Sequence, residues 1–232
     1  FDIKLMPWLT FSSVNNYSYY NSQSHGYTDP KSVGGEGVDG RITEYNYNTT
    51  RRYTNQLLRF QKSWGKHNVN GLLAYEFNDW EMKFTDVYAT GFLSGFEDFT
   101  TTSKPEKANG YRQAWAKQSY FTQWRYNYDN RYFGEVSLRR DGRSNFGSNN
   151  RYGNFFSFSG AWNMNNESWF KAQWVDMLKL RASFGSVGNV PTSLYPSYSL
   201  YSVGASYNEQ SGALISQIGN KDLTWEKTFT TG

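Results

Sequence analysis

The stretch 118-QSYFTQWRYNYDNRYFGEVSLRRD-141 decides the fold. Its first eleven residues alternate, with Tyr120, Thr122, Trp124, Tyr126 and Tyr128 on one parity and Ser119, Phe121, Gln123, Arg125 and Asn127 on the other. After Asp129-Asn130-Arg131 the alternation resumes. Tyr132, Gly134, Val136 and Leu138 then stand opposite Phe133, Glu135, Ser137, Arg139 and Asp141. A period of two marks a strand with two different faces, and two such runs across a tight polar turn predict an antiparallel hairpin.

The pattern extends in both directions. Phe156, Phe158, Gly160 and Trp162 oppose Ser157, Ser159 and Asn163, and Leu178, Leu180, Ala182 and Phe184 oppose Lys179, Arg181 and Ser183. Upstream, Val69, Leu73, Tyr75 and Phe77 oppose Asn70 and Glu76. Weaker alternation predicts strands over about 3–20, about 45–64 and from 223 to the end, roughly eight in all. Each of the five clear strands keeps one face free of charge.

Connections alternate between short (65–68, 129–131, and a moderate 165–176) and longer (25–44, 83–114, 143–150, 188–222). An up-and-down membrane barrel has that asymmetry, with short periplasmic turns and long outer loops. Trp64, Tyr128, Tyr132 and Trp162 flank the shorter connections, where they could form an interfacial aromatic girdle. A soluble antiparallel sandwich also alternates, so parity alone leaves open which face meets lipid. Strands of about 10 to 13 residues, longer than the 5 to 6 usual in soluble sheets, favour the barrel.

Composition narrows the function. Aromatics are 19% of 232 residues and net charge is only +4, so the chain is not a disordered one. Zero Cys removes disulfides, thiolate metal sites and cysteine nucleophiles, and two His, His25 and His67, leave little for a metal cluster or a catalytic triad. No metal or other cofactor is expected. The 24 Lys and Arg against 20 Asp and Glu form no basic arm, so nucleic acid is not an expected partner. No apolar run approaches the 18 residues of a spanning helix, a limit that does not touch barrel strands of about 9 to 11 residues.

Two tempting motifs are declined. Gly35-Glu36-Gly37-Val38-Asp39-Gly40 matches GxGxxG, but neither a buried strand before it nor a helix after it is present, so it reads as a loop. Glu135 and Asp141 lie six residues apart on one face, about 20 Å at 3.3 Å per residue, too far for a glycosidase pair. An enzyme is not expected.

The run Arg131-Tyr132-Phe133-Gly134-Glu135-Val136-Ser137-Leu138-Arg139-Arg140-Asp141-Gly142, with Ser144-Asn145-Phe146-Gly147 and Asn150-Arg151-Tyr152-Gly153, resembles the SusC/RagA family of TonB-dependent outer-membrane receptors. Ala161-Trp162-Asn163 with Asn166-Glu167-Ser168-Trp169-Phe170 looks like the family's next element, followed by Leu178 to Asn189 and Ile218 to Glu226. The resemblance covers about the last 100 residues; the first 110 match only in general character. It implies an all-β, antiparallel up-and-down transmembrane barrel of 22 strands with an N-terminal plug, in a Gram-negative outer membrane and embedded in its lipid. It further implies TonB-driven import of oligosaccharides, or in some branches peptides, beneath a SusD-like surface lipoprotein.

Both ends read as cuts through strands, so residues 1–232 are expected to be part of one barrel domain, without plug, TonB box or terminal strands. Inside such a barrel, Glu135, Arg139, Asp141, Lys179 and Arg181 would face the lumen and plug. Gly147, Gly153, Gly185 and Gly188 would serve bends and close approaches. Trp80, Tyr88, Phe92, Phe96, Trp115, Tyr198, Tyr201 and Tyr207 border or occupy the longest loops and are candidates for contact with substrate or lid, since flat rings pack against sugar C–H faces. A secreted carbohydrate-binding sandwich and a passive porin-like channel are the alternative readings.

Overall fold

A computed structural model gives the structure of the chain. It describes residues 1–93, 95–172, 174–207 and 210–232, and only the backbone of 204–207 and 211. Nine strands form one antiparallel sheet in which sequence neighbours are sheet neighbours. They are β1 (Asp2–Met6), β2 (Leu9–Thr28), β3 (Arg41–Trp64), β4 (His67–Thr90), β5 (Lys104–Tyr128), β6 (Tyr132–Arg143), β7 (Tyr152–Asn163), β8 (Lys179–Asn189) and β11 (Glu226–Thr231). The connection from β8 to β11 carries its own hairpin, β9 (Leu200–Tyr207) with β10 (Gln210–Gln217). The sheet is an open stretch of an up-and-down barrel wall.

The hairpin predicted over 118–141 forms in the expected register, with Tyr128 opposite Tyr132, Trp124 opposite Val136 and Arg125 opposite Glu135. Asp129 and Asn130 both sit at φ 53°, and the Arg131 N–H donates to Tyr128 O at 2.9 Å. Two successive left-handed residues give a turn whose twist matches the strands, and Asp and Asn tolerate that region best after glycine.

Several expectations are corrected. The single strand over 3–20 is two, because Pro7-Trp8 turns the chain between β1 and β2. Strands β2 to β5 run 20 to 25 residues. The connections placed at 25–44 and 83–114 shrink to 29–40 and 91–103, so Tyr88 lies in β4, and Trp80 and Trp115, expected to border the loop, lie ten or more residues from it within β4 and β5. The 188–222 loop contains β9 and β10. Strand spans beyond a bilayer need no apolar face, so their pairing leaves no period in the sequence.

The chain divides into two compact units. The first, 1–15, 53–78 and 115–232, holds one core of Phe146, Phe155 and Trp225 with Val190 and Leu223 packed on it. The second, 16–52 and 79–114, is built from the loop-side portions of β2 to β5. Its cross-strand contacts include ion pairs, Arg52 with Asp79, Arg112 with Glu81 and Lys107 with the buried Asp86. Charge enters the odd positions of β4 at Asp79, directly after Leu73, Tyr75 and Phe77.

In that second unit the GxGxxG stretch makes a 3-10 turn, Glu36–Val38, that ends in left-handed Asp39 and in Gly40 at φ 83°. A Cβ on Gly40 would lie 2.6 Å from the Phe92 ring, and Phe92 also meets Tyr27 at 5.4 Å. This glycine shapes a loop. Gly40→Ala is expected to cost about 1 to 3 kcal/mol locally. Limited proteolysis should then cut faster within 29–40 and 91–103.

Candidate functional site

The outward parity of the first unit forms a band. Register places Trp124, Val136, Phe158 and Phe184 in one row across β5 to β8, and Thr122, Leu138 and Phe156 in another. These side chains are open: Phe158 is 49% and Leu180 62% exposed. A sandwich would bury them against a second sheet, so the sandwich reading fails.

Aromatic belts bound the band. At the turn end rings follow one another from Trp64 to His67 (5.6 Å), Tyr128 (4.9 Å), Tyr132 (6.4 Å) and Trp162 (6.3 Å), then to Trp169 (6.2 Å). All four residues expected in the girdle belong to it, and His67, whose Nδ1 lies 2.7 Å from Tyr126 OH, joins them. At the loop end stand Tyr75 and Tyr120 (5.2 Å apart) and Tyr152, over which Arg140 lies at 4.8 Å. Tyr132 to Arg140 is about 27 Å along the strand at 3.4 Å per residue, close to the ~25 Å apolar band of outer-membrane barrels. Between the belts the outward positions of β5 to β8 carry no charge.

The turn-end belt is held by a network that sequence reading missed. Glu167, 8% exposed, accepts from Tyr132 OH (2.6 Å), Trp162 Nε1 (2.9 Å) and Arg131 Nη1 (3.1 Å). Arg131 also donates to Asp129 (2.8 Å), which accepts from Lys66 (2.7 Å). The Tyr132 hydroxyl and the Trp162 indole, with Arg131, hold the Glu167 carboxyl below the usual carboxylate range, and Lys66 does the same for Asp129. A depressed folded value means stability that is present above the unfolded carboxylate range near pH 4.3 and lost as pH falls through the folded values. Acid destabilisation between pH 5 and 3 should therefore be shallower in Glu167→Gln than in the wild type, measured by urea unfolding at each pH, with Asp129 supplying the remaining slope.

Loop-side motif residues converge on the Phe146 core. Trp225 packs on Phe146 (5.0 Å) and edge-on to Phe155 (5.3 Å), and its Nε1 donates to Arg151 O at 3.0 Å. Buried Asn145 donates to Ser193 O (2.8 Å) and accepts at its carbonyl from Ser197 Oγ (3.1 Å). Gly147, Gly153, Gly185 and Gly188 are close approaches: a Cβ at Gly153 would meet the Phe155 ring at 2.7 Å. None of the four has positive φ, so the close approach and not a bend is what requires them.

On the inward parity the expected charges partly pair. Glu135 accepts from Arg125 (2.9 Å) on β5 and from Gln123; Arg139 pairs with Asp141 (2.8 Å) and donates to Ser119 (3.1 Å). Lys179 lies 4.3 Å from the Phe133 ring centre, and with Arg181 it lines a cavity of about 520 Å³ beside Arg125 and Glu135. Neither Lys179 nor Arg181 has an ion pair among the described residues.

The aromatic candidates do not form one cluster. In the second unit Tyr88 accepts from Arg41 Nε (3.2 Å), Phe92 is buried, Phe96 is exposed and Trp80 is half-buried in β4. In the first, Trp115 lies under Arg143 (5.3 Å), Tyr198 meets Tyr195 (6.4 Å) and Tyr201 is exposed on β9; the Tyr207 side chain lies outside the described residues. What does cluster is Phe84 with Tyr45 (6.2 Å), Tyr47 (4.6 Å) and Tyr111 (5.0 Å), joining three strands of the second unit. Trp80, Met82 and Phe84 alternate along β4, and of the three only Phe84 falls within the connection expected at 83–114.

No family model matches the chain. It is 30% identical over 234 residues to TonB-dependent receptor P39 of Formosa agariphila, covering 97% of this chain and 22% of that protein. It is 29% identical over 210 residues to TonB-dependent receptor SusC of Bacteroides thetaiotaomicron, covering 84% of this chain and 20% of that one. The chain thus spans about a fifth of the length of these relatives. Its fold matches the structure of the RagAB peptide transporter with a TM-score of 0.83 at 24% identity, over 99% of this chain and 26% of that one. An uncharged outward band between two aromatic belts, a polar inward face and a matching wall in both sequence and fold identify the chain as a SusC/RagA-like TonB-dependent receptor segment, part of an outer-membrane β-barrel.

Proposed function

We propose that the receptor to which this chain belongs imports oligosaccharides or peptides across the outer membrane, driven by TonB and partnered by a SusD-like surface lipoprotein. The observation that carries this reading is likeness along 97% of the chain to a protein named a TonB-dependent receptor. The name of the RagAB peptide transporter supports peptides as cargo, and the SusC likeness supports the lipoprotein partner. Nutrient is held on the inward side and released when the energised partner remodels the barrel's contents. The Phe84, Tyr45, Tyr47 and Tyr111 rings offer flat faces to sugar C–H groups or to apolar peptide side chains.

Deleting the gene and growing the strain on a panel of oligosaccharides and peptides tests the reading. Loss of growth on a subset is expected, with uptake stopped by a protonophore. Undiminished growth on every member overturns the reading, and uptake that survives the protonophore favours a passive channel. Phe84→Ala is expected to weaken cargo binding about three- to tenfold, read by titration of the purified receptor with a cargo so identified.

A further inference from the structure

The outward band is not uniform. A depression of about 720 Å³ opens in it, walled by Phe11, Leu58, Leu73, Leu138 and Phe156. Of its polar lining residues, Gln56, Arg140 and Asn154 lie on the loop side of these apolar ones on β3, β6 and β7, while Thr122 and Arg139 line it lower down; Arg140 and Asn154 are directly paired across strands. Apolar walls within the band and a polar rim at the loop-side belt match a molecule with an acyl chain below and a polar head above. Arg140 decides the charge of that head. Its guanidinium is exposed, rests on the Tyr152 ring and has no carboxylate partner among the described residues. An arginine where the hydrocarbon layer ends can reach out to the interface, and a phosphate there offers it charge-assisted hydrogen bonds.

We propose that this depression is a binding site for a phosphate-bearing lipid of the outer leaflet. One acyl chain lies along Leu58, Leu73, Leu138 and Phe156, and the head phosphate accepts from Arg140, with Asn154 as a further donor. The occupant is a lipid because the groove lies in the lipid-facing band. Its head is anionic because Arg140 is the cation left unmatched there. Free phosphate would leave the apolar walls unfilled.

Native mass spectrometry of the whole receptor, extracted from the outer membrane in a mild neutral detergent, tests the site. Wild type is expected to retain a phosphate-bearing lipid. Arg140→Gln should reduce that retention about fivefold and Arg140→Lys should recover much of it, in line with one basic group at an anionic surface. Thr122→Phe, which fills the groove while leaving Arg140 in place, should lower retention to a similar extent. Retention equal to wild type in Arg140→Gln or in Thr122→Phe overturns the proposal, as does an adduct on wild type that carries no phosphate. Because exposed Arg140 has no carboxylate partner among the described residues and its contact with the Tyr152 ring is at the surface, near-wild-type unfolding of the Arg140→Gln receptor is expected alongside its loss of lipid.

Discussion

Phe158→Arg is expected to destabilise the folded receptor by about 2 to 4 kcal/mol relative to Phe158→Ala, measured by reversible urea unfolding in lipid vesicles. Phe158 sits midway between Trp162 at the turn-end belt and Asn154 near the loop-end belt, opposite Val136 and Phe184. A guanidinium there has neither water nor a counter-ion within reach, which is the depth at which barrel proteins show that cost. Ser159→Arg, one residue along β7, places the same charge on the parity of Glu135 and should cost under about 1 kcal/mol, since that face is already polar. The difference between neighbours, more than either value, reports which face meets lipid.

Trp225→Ala should cost about 3 to 5 kcal/mol. Trp225 is 8% exposed, fills the space between Phe146 and Phe155, and its loss also leaves Arg151 O without its donor. The damage should be local. Hydrogen exchange is expected to accelerate in 144–151 and 190–225 while β6 and β7 keep their protection. Trp225→Phe retains most of the packing and should lose about 1 kcal/mol, the net worth of one hydrogen bond.

How far the sequence could be read depended on what each residue had to satisfy. Strands from Gln118 to Phe184 were legible because lipid requires one face of each to be uncharged, and that requirement writes a period of two. Residues 79–90 and 104–114 also lie in strands, but Glu81, Lys83 and Arg112 break any uncharged face there and look like loop residues. The aromatic girdle was legible because Trp64, Tyr128, Tyr132 and Trp162 flank the shorter connections. Its anchor was not, since Glu167 reaches Tyr132 and Arg131 across 35 and 36 residues and only folding brings them together. The same holds for Trp225 and Arg151, 74 residues apart. The motif residues behind the family resemblance thus fall largely into two structural groups, a turn-end anchor and a loop-end core.

Spin-label accessibility along β7 tests the central claim most directly. Single labels at 155 to 162 in the receptor reconstituted in vesicles would be compared for relaxation by oxygen, which partitions into lipid, and by a water-soluble nickel chelate. The outward band predicts a period of two, with 156, 158, 160 and 162 favouring oxygen and 155, 157, 159 and 161 favouring nickel. Alternation of the opposite phase, or none at all, would contradict it.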